Sequence, residues 1–264
     1  MALLFYGYSA YASVAFFSKP QRVDASFTPP VTILKPLCGL DHGLYENLAT
    51  FCRQDYPVYQ LIFGVRDQSD PAIDMVQQII RDFPTVDIKL VVDDYIIGSN
   101  LKVSNLANLE PFAKYHLILS SDSDIRVGPD YLKRMVQPMA SPRTGVVTCL
   151  YRSRVRGRVA ALEALSISTE FHACVLAARK LGWMKFAMGS SILMRRSVLQ
   201  EIGGFQAIAN HLADDFMLGN LAARAGYRVV LSDYIVEHTL ETSSLWDLVT
   251  HQTRWNRCTR FSNP

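Results

Sequence analysis

The sequence predicts an α/β domain with a mostly parallel sheet that is covered by helices on both faces. Short apolar runs of strand length alternate with segments of helix length through the first half of the chain, a pattern typical of such sheets. Prolines stand at Pro71 and Pro129, where the first turn of a helix tolerates them. Hydrophobic residues make up 49% of the 264 residues and charged residues 19%, so the chain can build a sizeable core.

The chain opens with an uncharged stretch, residues 1–17, which Lys19 and Arg22 follow. As a helix it would measure roughly 26 Å at about 1.5 Å per residue, slightly short of a bilayer core. Basic residues tend to flank a membrane helix on its cytoplasmic side. We therefore expect residues 1–18 to anchor the chain in a membrane, residues 19–30 to form a linker, and the rest to be cytosolic. A buried N-terminal helix is the alternative.

Five apolar runs then predict buried strands, at residues 31–35, 59–65, 87–92, 116–120 and 145–150. Helix-length segments separate them, at residues 43–53, 71–83, 101–112 and 131–139. Ligands of such sheets bind at the carboxyl ends of the strands, so we expect the functional residues there.

The second half of the chain changes character. Its patterns predict one long helix at 158–180, a short strand at 190–194, a helix at 215–225, a strand at 227–232 and an amphipathic helix at 243–258. The sequence contains no internal repeat and no low-complexity tract.

Charge and cysteine content exclude several classes of protein. The formal net charge is only +3, and no Lys/Arg block with interleaved aromatic residues occurs, so we expect no nucleic-acid partner. The five cysteines are widely spaced and odd in number. This argues against a disulfide framework and a zinc site, and favours a reducing compartment.

Two carboxylates follow the fourth predicted strand, at Asp122 and Asp124. In an extended segment, residues two apart point to the same side. Together with substrate phosphates, such a pair suits Mg²⁺ or Mn²⁺. The alternative is an ordinary turn at the end of a strand, where Asp and Ser are common.

Other acidic residues stand at the ends of predicted elements. Asp67 follows the second strand and is suited to accept hydrogen bonds from a base or a ribose; the alternative is a solvated residue beside a helix cap at Ser69 or Asp70. Asp214 and Asp215 open a helix. Because a cap needs only one acid, the second is available as a general base for an alcohol.

Basic residues supply the remaining candidates. Lys102 lies in GSNLKVSNL at 98–106 and is suited to meet phosphate, although a glycine turn that caps the next helix explains this segment as well. In the last helix, arginines recur at steps of three, at Arg254, Arg257 and Arg260. That stripe favours a surface helix on anionic lipid. The alternative is that Arg254 stabilises a departing diphosphate and Trp255 packs against an acceptor.

In this order the segments resemble the ceramide-glucosyltransferase-like enzymes, glycosyltransferase family 21, among the inverting transferases of GT-A fold. Their pattern is three separate Asp residues followed by (Gln/Arg)-x-x-Arg-Trp. Here Asp67, Asp122, Asp215 and Arg254-Trp255 match it. Further matching stretches are LKPLCG at 34–39, ENLATFCRQDYP at 46–57 and GSSILMRRSVL followed by GGF at 189–205. The resemblance spans roughly residues 30 to 260.

The resemblance implies a GT-A catalytic domain at 31–240 and a membrane-surface helix at 241–264 that carries the Arg-Trp motif. It implies a UDP-sugar donor, a lipid acceptor and inversion at the sugar. The residues expected to bind substrates are Lys35, Asp67, Lys102, Asp122, Asp214 and His251. Asp215 would be the base, with Arg254 and Trp255 at the leaving group and the acceptor, and Asp122, Asp124 and His238 would manage a divalent cation, Mg²⁺ or Mn²⁺.

Within the family, the complete Asp122-Ser123-Asp124, the LADD sequence, His238-Thr239 and His251 resemble most the bacterial hopanoid-associated enzymes. We therefore expect transfer of GlcNAc, or of glucose, to a hopanoid at the inner (cytoplasmic) membrane. The alternatives are a ceramide glucosyltransferase and, from a different class, an inactive sugar-nucleotide or lipid-binding module. His251 departs from the Gln/Arg of the general pattern. The chain also stops before the hydrophobic C-terminal segments of such enzymes, as a short form or a fragment would.

Overall fold

The computed structural model describes residues 2–41, 43–155, 157–240 and 244–262. In this part of the chain, eight strands form one sheet. In chain order they are β1 Val31–Pro36, β2 Tyr59–Val65, β3 Asp87–Val92, β4 Leu117–Ser120, β5 Ile125–Arg126, β6 Thr144–Val155, β7 Ile192–Arg195 and β8 Arg228–Leu240.

The helices lie between and around these strands. The α-helices are α1 Ala2–Phe17, α2 Leu44–Cys52, α3 Ala72–Asp82, α4 Leu101–Leu109, α5 Tyr131–Met135, α6 Arg158–Ser166, α7 His172–Lys180, α8 Arg196–Glu201, α9 Asp214–Arg224 and α10 Leu245–Ser262. A π-helical turn, Ile167–Phe171, joins α6 to α7. Short 3₁₀ turns are Glu110–Phe112, Gln137–Ala140 and Phe205–Ile208.

The strands are arranged in the order β3-β2-β1-β4-β7-β6-β8-β5. The first four run parallel to one another. Then β7 runs antiparallel to both β4 and β6, β8 is parallel to β6, and β5 is antiparallel to β8. The α/β class is therefore confirmed, but the sheet as a whole is mixed, and only its first half is purely parallel. Apolar runs do not encode strand direction, which depends on where each connection returns.

Both faces of β1, β2 and β4 are buried, which explains their mainly apolar sequences. The prediction of a buried strand is wrong for β3, which lies at the edge of the sheet and buries only Val91. Successive residues of β1 point to opposite faces: Ile33 joins the core beneath α2 and α3, and Leu34 joins the core beneath α4 and α9. The same alternation occurs in β2, where Phe63 and Ile62 enter the two cores.

Two strands run much further than their apolar segments predict. The strand β6 continues to Val155 and β8 to Leu240, and these outer parts pair with each other. The extension of β6 is mostly exposed, with polar residues, so no apolar run marks it. The predicted strand at 227–232 therefore ends too early and leaves out the part of β8 that carries His238.

The long predicted helix is present as α6, the π turn and α7 in one continuous run. By length and composition alone, the run Arg158–Lys180 is long and apolar enough to cross a membrane. The two short elements β5 and α8 were not predicted, since neither is long enough to show a period. The predicted first residue of the last helix, Ser243, lies outside the described residues.

The N-terminal helix α1 packs along α7 and exposes its other side. Ala12 and Phe16 are buried against Val175 and Leu176, and the Arg179 guanidinium lies 4.3 Å from the centre of the Phe16 ring. On the outer side, Leu3 is 90% exposed. This short apolar helix therefore covers the domain on one side and presents an apolar surface on the other, and the membrane anchor stays a prediction.

Close packing at the end of β2 gives a stability prediction. A Cβ at Gly64 would lie 2.2 Å from Asn105 Oδ1 and 2.6 Å from Leu109 Cδ2. We expect Gly64→Ala to lower the free energy of unfolding by about 1–3 kcal/mol, as overpacking usually does. Thermal unfolding of the purified protein measures it. Gly7→Ala is the matched control, because a Cβ there meets nothing within 4 Å; equal losses in both variants would contradict the prediction.

Candidate active site

A cavity of about 1820 Å³ opens at the carboxyl ends of the parallel strands. Asp67 reaches it from the end of β2, Asp122 from the end of β4, Asp215 from the first turn of α9, and Arg254 from α10. Nearly 190 residues of chain separate the first from the last of these, and the fold brings all four to one space. The sequence expectation that they share a site agrees with this placement.

Lys102 is the cation at the centre of the acidic group. Its Nζ lies 2.6 Å from Asp122 Oδ1 and 3.5 Å from Asp214 Oδ2. Burial opposes the charge of Lys102, but the two carboxylates outweigh it and raise the pKa of the ammonium. Lys102 stands at the start of α4, which Asn100 caps by accepting a hydrogen bond from Val103 N at 3.2 Å. The helix cap and the cation therefore coexist in one segment.

The segment that carries Asp122 and Asp124 is a turn, so the expectation of an extended segment is wrong. Ile125 N donates to Asp122 O at 3.4 Å, which closes the turn directly after β4. The alternative of a strand-end turn describes the backbone correctly. Both carboxylates nevertheless line the cavity, because the turn itself sits at the sheet edge where the cavity opens.

Asp124 is paired with His238 across the ends of β5 and β8. His238 Nε2 lies 3.1 Å from Asp124 Oδ2. Although burial opposes ionisation of Asp124, this hydrogen bond and the imidazole charge lower its pKa, and Asp124 in turn raises the pKa of His238. The second oxygen, Asp124 Oδ1, is buried and has no hydrogen-bond partner among the described residues.

The residues present fit a divalent cation only when substrate helps to hold it. Within the described ranges, no group of three or more His, Cys, Asp and Glu side chains could enclose a metal ion. Asp124 Oδ1 is, however, an unsatisfied carboxylate oxygen at the cavity, and Asp122 lies beside it. Two carboxylates completed by diphosphate oxygens are the ligand type that Mg²⁺ and Mn²⁺ accept. His238 would then orient Asp124 from behind.

Asp215 is held at the cavity wall by backbone donors. Its Oδ2 accepts from Gly189 N at 2.8 Å and its Oδ1 from Phe216 N at 2.7 Å. Burial, with the neighbouring charge of Asp214, raises the pKa of Asp215 to about 6. A carboxylate with that pKa accepts a proton near neutral pH more readily than an ordinary Asp does.

The raised pKa of Asp215 predicts an acid limit on activity. Any reaction that uses the Asp215 carboxylate as its base should slow as the pH drops through about 6, because only the ionised carboxylate can accept a proton. The logarithm of kcat/KM, plotted against pH, should approach a slope of one below that value. Activity that recovers on return to neutral pH distinguishes titration from denaturation. A flat profile between pH 5 and 7 would contradict a role for this group.

Lys35 and His251 are not among the residues that line the cavity. Lys35 is fully buried, and its Nζ donates to Asp122 O and lies 3.4 Å from Ser121 Oγ. Burial lowers the pKa of Lys35 to about 7. Lys35 therefore stabilises the Asp122 turn from inside the core and does not reach the cavity where a substrate would bind.

His251 holds α10 against α6. Its Nδ1 lies 3.3 Å from an oxygen of Glu163, a carboxylate that is fully buried in α6. Ser244 and Asp247 form a reciprocal cap at the start of α10, with bonds of 2.9 and 3.1 Å. Arg254 and Trp255 on the same helix line the cavity, and Trp246 is 77% exposed on its outside. The helix thus has one side at the cavity and one exposed side; the lipid-surface role and the roles of Arg254 and Trp255 stay predictions.

Asp67 and Asp70 are close in sequence but accept hydrogen bonds from different partners. Asp70 Oδ1 accepts from Ala72 N at 2.8 Å at the start of α3, and Asp70 also accepts from Gly39 N. Asp67 Oδ1 accepts from the backbone and hydroxyl of Ser69 at 2.8 and 2.7 Å, which lowers the pKa of Asp67. Asp67 therefore faces the cavity as a carboxylate in a fixed orientation.

Several lining residues were not predicted. Arg66, Asp93 and Asp94 line the cavity at the ends of β2 and β3. The rule that found Asp67, an acid directly after a strand, would also have found Asp93. Tyr151 on β6 lines the cavity and lies edge-on to His238 with ring centres 5.4 Å apart. No local pattern marks Tyr151, since its position depends on the unpredicted extension of β6.

Comparison with known proteins identifies a family and several solved structures of similar fold but low sequence identity. The profile of glycosyl transferase family 21 matches residues 1–264. Ceramide glucosyltransferase 3 of Caenorhabditis elegans is 30% identical over 234 residues, 88% of this chain and 51% of its own length. Ceramide glucosyltransferase 1 of the same organism is 30% identical over 228 residues, 84% and 49%. The chain spans about half the length of these curated relatives.

Solved structures support the fold class. A mannosyltransferase from Pyrobaculum calidifontis, in complex with GDP-Man and Mn²⁺, superposes with a TM-score of 0.70 at 19% identity, over 97% of this chain and 76% of its own. TarS 1–349 of S. aureus gives a TM-score of 0.54 at 14% identity, over 80% and 60%. At these identities the likeness concerns the fold, which is of the GT-A class.

Proposed function

The chain belongs to glycosyl transferase family 21, and from this premise we propose that it carries the catalytic centre of a membrane-associated enzyme that transfers a hexose from a UDP-sugar to a lipid hydroxyl. The observation that carries the proposal is the shared cavity of Asp67, Asp122, Asp215 and Arg254. This arrangement supports a site in which the nucleotide, the diphosphate and a base lie next to one another, as a single displacement requires.

The donor half of the cavity supplies charge complementary to a nucleoside diphosphate. Asp67, with its fixed orientation, accepts hydrogen bonds from the uridine. Lys102 and Arg254 take up negative charge as UDP leaves, which is the kind of preorganised stabilisation that supplies much of the rate in enzymes. A divalent cation held by Asp122 and Asp124 would supply further charge neutralisation on the phosphates.

The acceptor half supplies the base. Asp215 removes the proton from the lipid hydroxyl as its oxygen attacks the anomeric carbon of the sugar. The bond between that carbon and the UDP oxygen breaks on the opposite side. A single displacement of this kind inverts the anomeric centre, so an α-linked donor gives a β-glycoside.

The relatives favour ceramide and glucose over the hopanoid and GlcNAc that the sequence suggested first. The two nematode proteins are ceramide glucosyltransferases by name, and so is a Candida albicans protein that is 34% identical over 131 residues. We therefore take ceramide as the acceptor class and glucose as the sugar. The hopanoid acceptor stays a prediction that these relatives do not support.

The exposed apolar side chains support a membrane location. On α1, Leu3 and Leu4 are 90% and 77% exposed, and Trp246 on α10 is 77% exposed. The long helix between them carries Leu162 and Leu165, 56% and 59% exposed. Large exposed apolar side chains on neighbouring helices are typical of a membrane-contacting surface. The catalytic domain would lie on the cytosolic side of that membrane.

A transfer assay tests the proposal. Membranes from cells that express the chain are incubated with labelled UDP-glucose or UDP-GlcNAc and with ceramide or bacteriohopanetetrol, and the labelled lipid is identified by mass spectrometry. We expect β-glucosylceramide. A GlcNAc-hopanoid would favour the first expectation instead. If no lipid is labelled although the chain binds UDP-sugar, the alternative of an inactive binding module is correct.

A further inference from the structure

The cavity is larger than the donor needs. Binding pockets for small molecules usually measure about 300–1,000 Å³, and this one measures about 1820 Å³. The residues assigned to the donor line one end of it. The other end lies between the long helix of α6 and α7 and the segment that precedes β7.

One stripe of the long helix forms a wall of this second end. Residues of this stripe that line the cavity follow one another at spacings of one or three positions, which keeps them on one side of the helix. They are Ser166, Ile167, Glu170, Phe171, Cys174, Val175 and Ala178. Glu170 is the charged member of this stripe. From Phe171 to Ala178 the helix rises by about 10 Å, at about 1.5 Å per residue. The stripe is therefore a mostly apolar wall with small side chains towards its far end.

The opposite wall begins at the proposed base. Phe216 directly follows Asp215 and lines the cavity. Its ring stacks on that of Phe186, with centroids 6.2 Å apart and planes 12° from parallel. Phe186 and Met188 line the cavity as well. An apolar surface is thus continuous with the carboxylate that would receive the acceptor proton.

The near and far ends of the stripe have different neighbours. Phe171 packs on Tyr151 with ring centres 6.0 Å apart, and Tyr151 packs on His238, so this end adjoins the reaction site. At the far end, Val175 contacts the α1 residues Ala12 and Phe16. The groove therefore leads from the proposed base towards the apolar helix α1, whose outer side is exposed.

We propose that this acceptor groove, lined by Ile167, Phe171, Cys174, Val175, Ala178 and Phe186, binds a hydrocarbon chain of the lipid acceptor. Its small residues Cys174 and Ala178 set the length of chain that the enzyme uses. The inference rests on the proposed function and adds the subsite that would hold the acceptor. Continuity with Asp215 at one end and with α1 at the other favours an alkyl chain over a sugar or a peptide, which would need polar partners along the wall.

Filling the far end of the groove with a larger side chain tests the inference. We expect Ala178→Leu to raise the KM for a long-acyl ceramide by about tenfold or more, which corresponds to about two excluded methylene groups. The KM values for a short-acyl ceramide and for UDP-glucose should stay as in the wild type. Ala161→Leu is the matched control on the same helical run, because Ala161 is exposed and does not line the cavity. Equal effects on both ceramides, or none, would overturn the assignment.

A second measurement tests lipid binding in the groove independently of sugar transfer. Cys174 is exposed in the groove, so a bulky maleimide should modify it, and long-acyl ceramide in mixed micelles should slow that reaction about tenfold. A Cys174→Ser variant identifies the labelled site. If the wild type transfers sugar to no lipid, the proposed function fails. Protection of Cys174 would then still support the groove, and unchanged labelling would refute it.

Discussion

Asp215→Asn is expected to lower kcat by about 10²–10⁴-fold, the usual contribution of a general base, while the binding of UDP-sugar stays close to that of the wild type. The amide keeps an oxygen that can accept from Gly189 N but cannot take a proton from the acceptor. Turnover is measured with saturating donor and lipid, and donor affinity by isothermal titration. Unchanged turnover would refute the assignment of the base.

Removal of the negative charge in Asp215→Asn should by itself favour folding at neutral pH, whereas the amide group leaves one of the two backbone donors, Gly189 N or Phe216 N, without its acceptor. The pKa of Asp215 is raised to about 6 from an ordinary value of 3.8, so the folded protein holds this proton more tightly than the unfolded chain does. The group therefore favours folding at low pH, and this contribution is lost as the pH rises through about 6. Removing the charge cannot lower stability by that route. Asp74→Asn, in the exposed first turn of α3, is the matched control and should leave kcat unchanged.

Lys102→Met is expected to raise the KM for UDP-sugar by about 10–100-fold, from the ~1.5–3 kcal/mol that a hydrogen bond to a charged group contributes. It also leaves Asp122 and Asp214 without the cation that bridges them. Because Lys102 opposes the rise in the pKa of Asp215, its loss should move the acid limit of activity above pH 6. Steady-state kinetics across pH measure both effects.

The control for Lys102→Met is a lysine in a similar pair far from the cavity. Lys114 Nζ lies 2.6 Å from Asp87 Oδ2, and both side chains are largely exposed. Exposed pairs of this kind contribute about 0–1 kcal/mol, so Lys114→Met should leave the KM and the pH profile unchanged. If the pH at which activity falls is the same in Lys102→Met as in the wild type, Lys102 does not influence the pKa of the base Asp215.

The sequence predicted those features that a short segment can encode. The strands β2 and β3 have the predicted bounds, since both consist mainly of apolar residues over a length typical of a strand. The acids at the strand ends were found because a parallel sheet brings those ends together. Strand direction was not predictable in the second half, because β7 and β8 meet their neighbours only through long connections.

The sequence also could not predict which polar side chains are buried or which residues they contact. Lys35 lies in a motif that suggests substrate contact, yet its side chain is enclosed beneath the Asp122 turn. His251 differs from the expected Gln or Arg, and its partner Glu163 is 88 positions away. A single sequence cannot pair two such residues, because nothing local in α6 marks Glu163 as the buried partner of a later helix.

The residues that the proposed reaction uses lie on both sides of β6 in the chain, where the sheet changes from parallel to mixed. Asp67, Lys102 and Asp122 all precede β6, whereas Asp215, the groove and Arg254 all follow it. Apart from Arg254, which is proposed to act on the departing diphosphate, the residues proposed to bind the nucleotide thus lie in a separate stretch of chain from those proposed to bind the lipid. A chimera that joins residues 31–140 of this protein to the later half of a relative with another acceptor should keep the donor and exchange the alcohol.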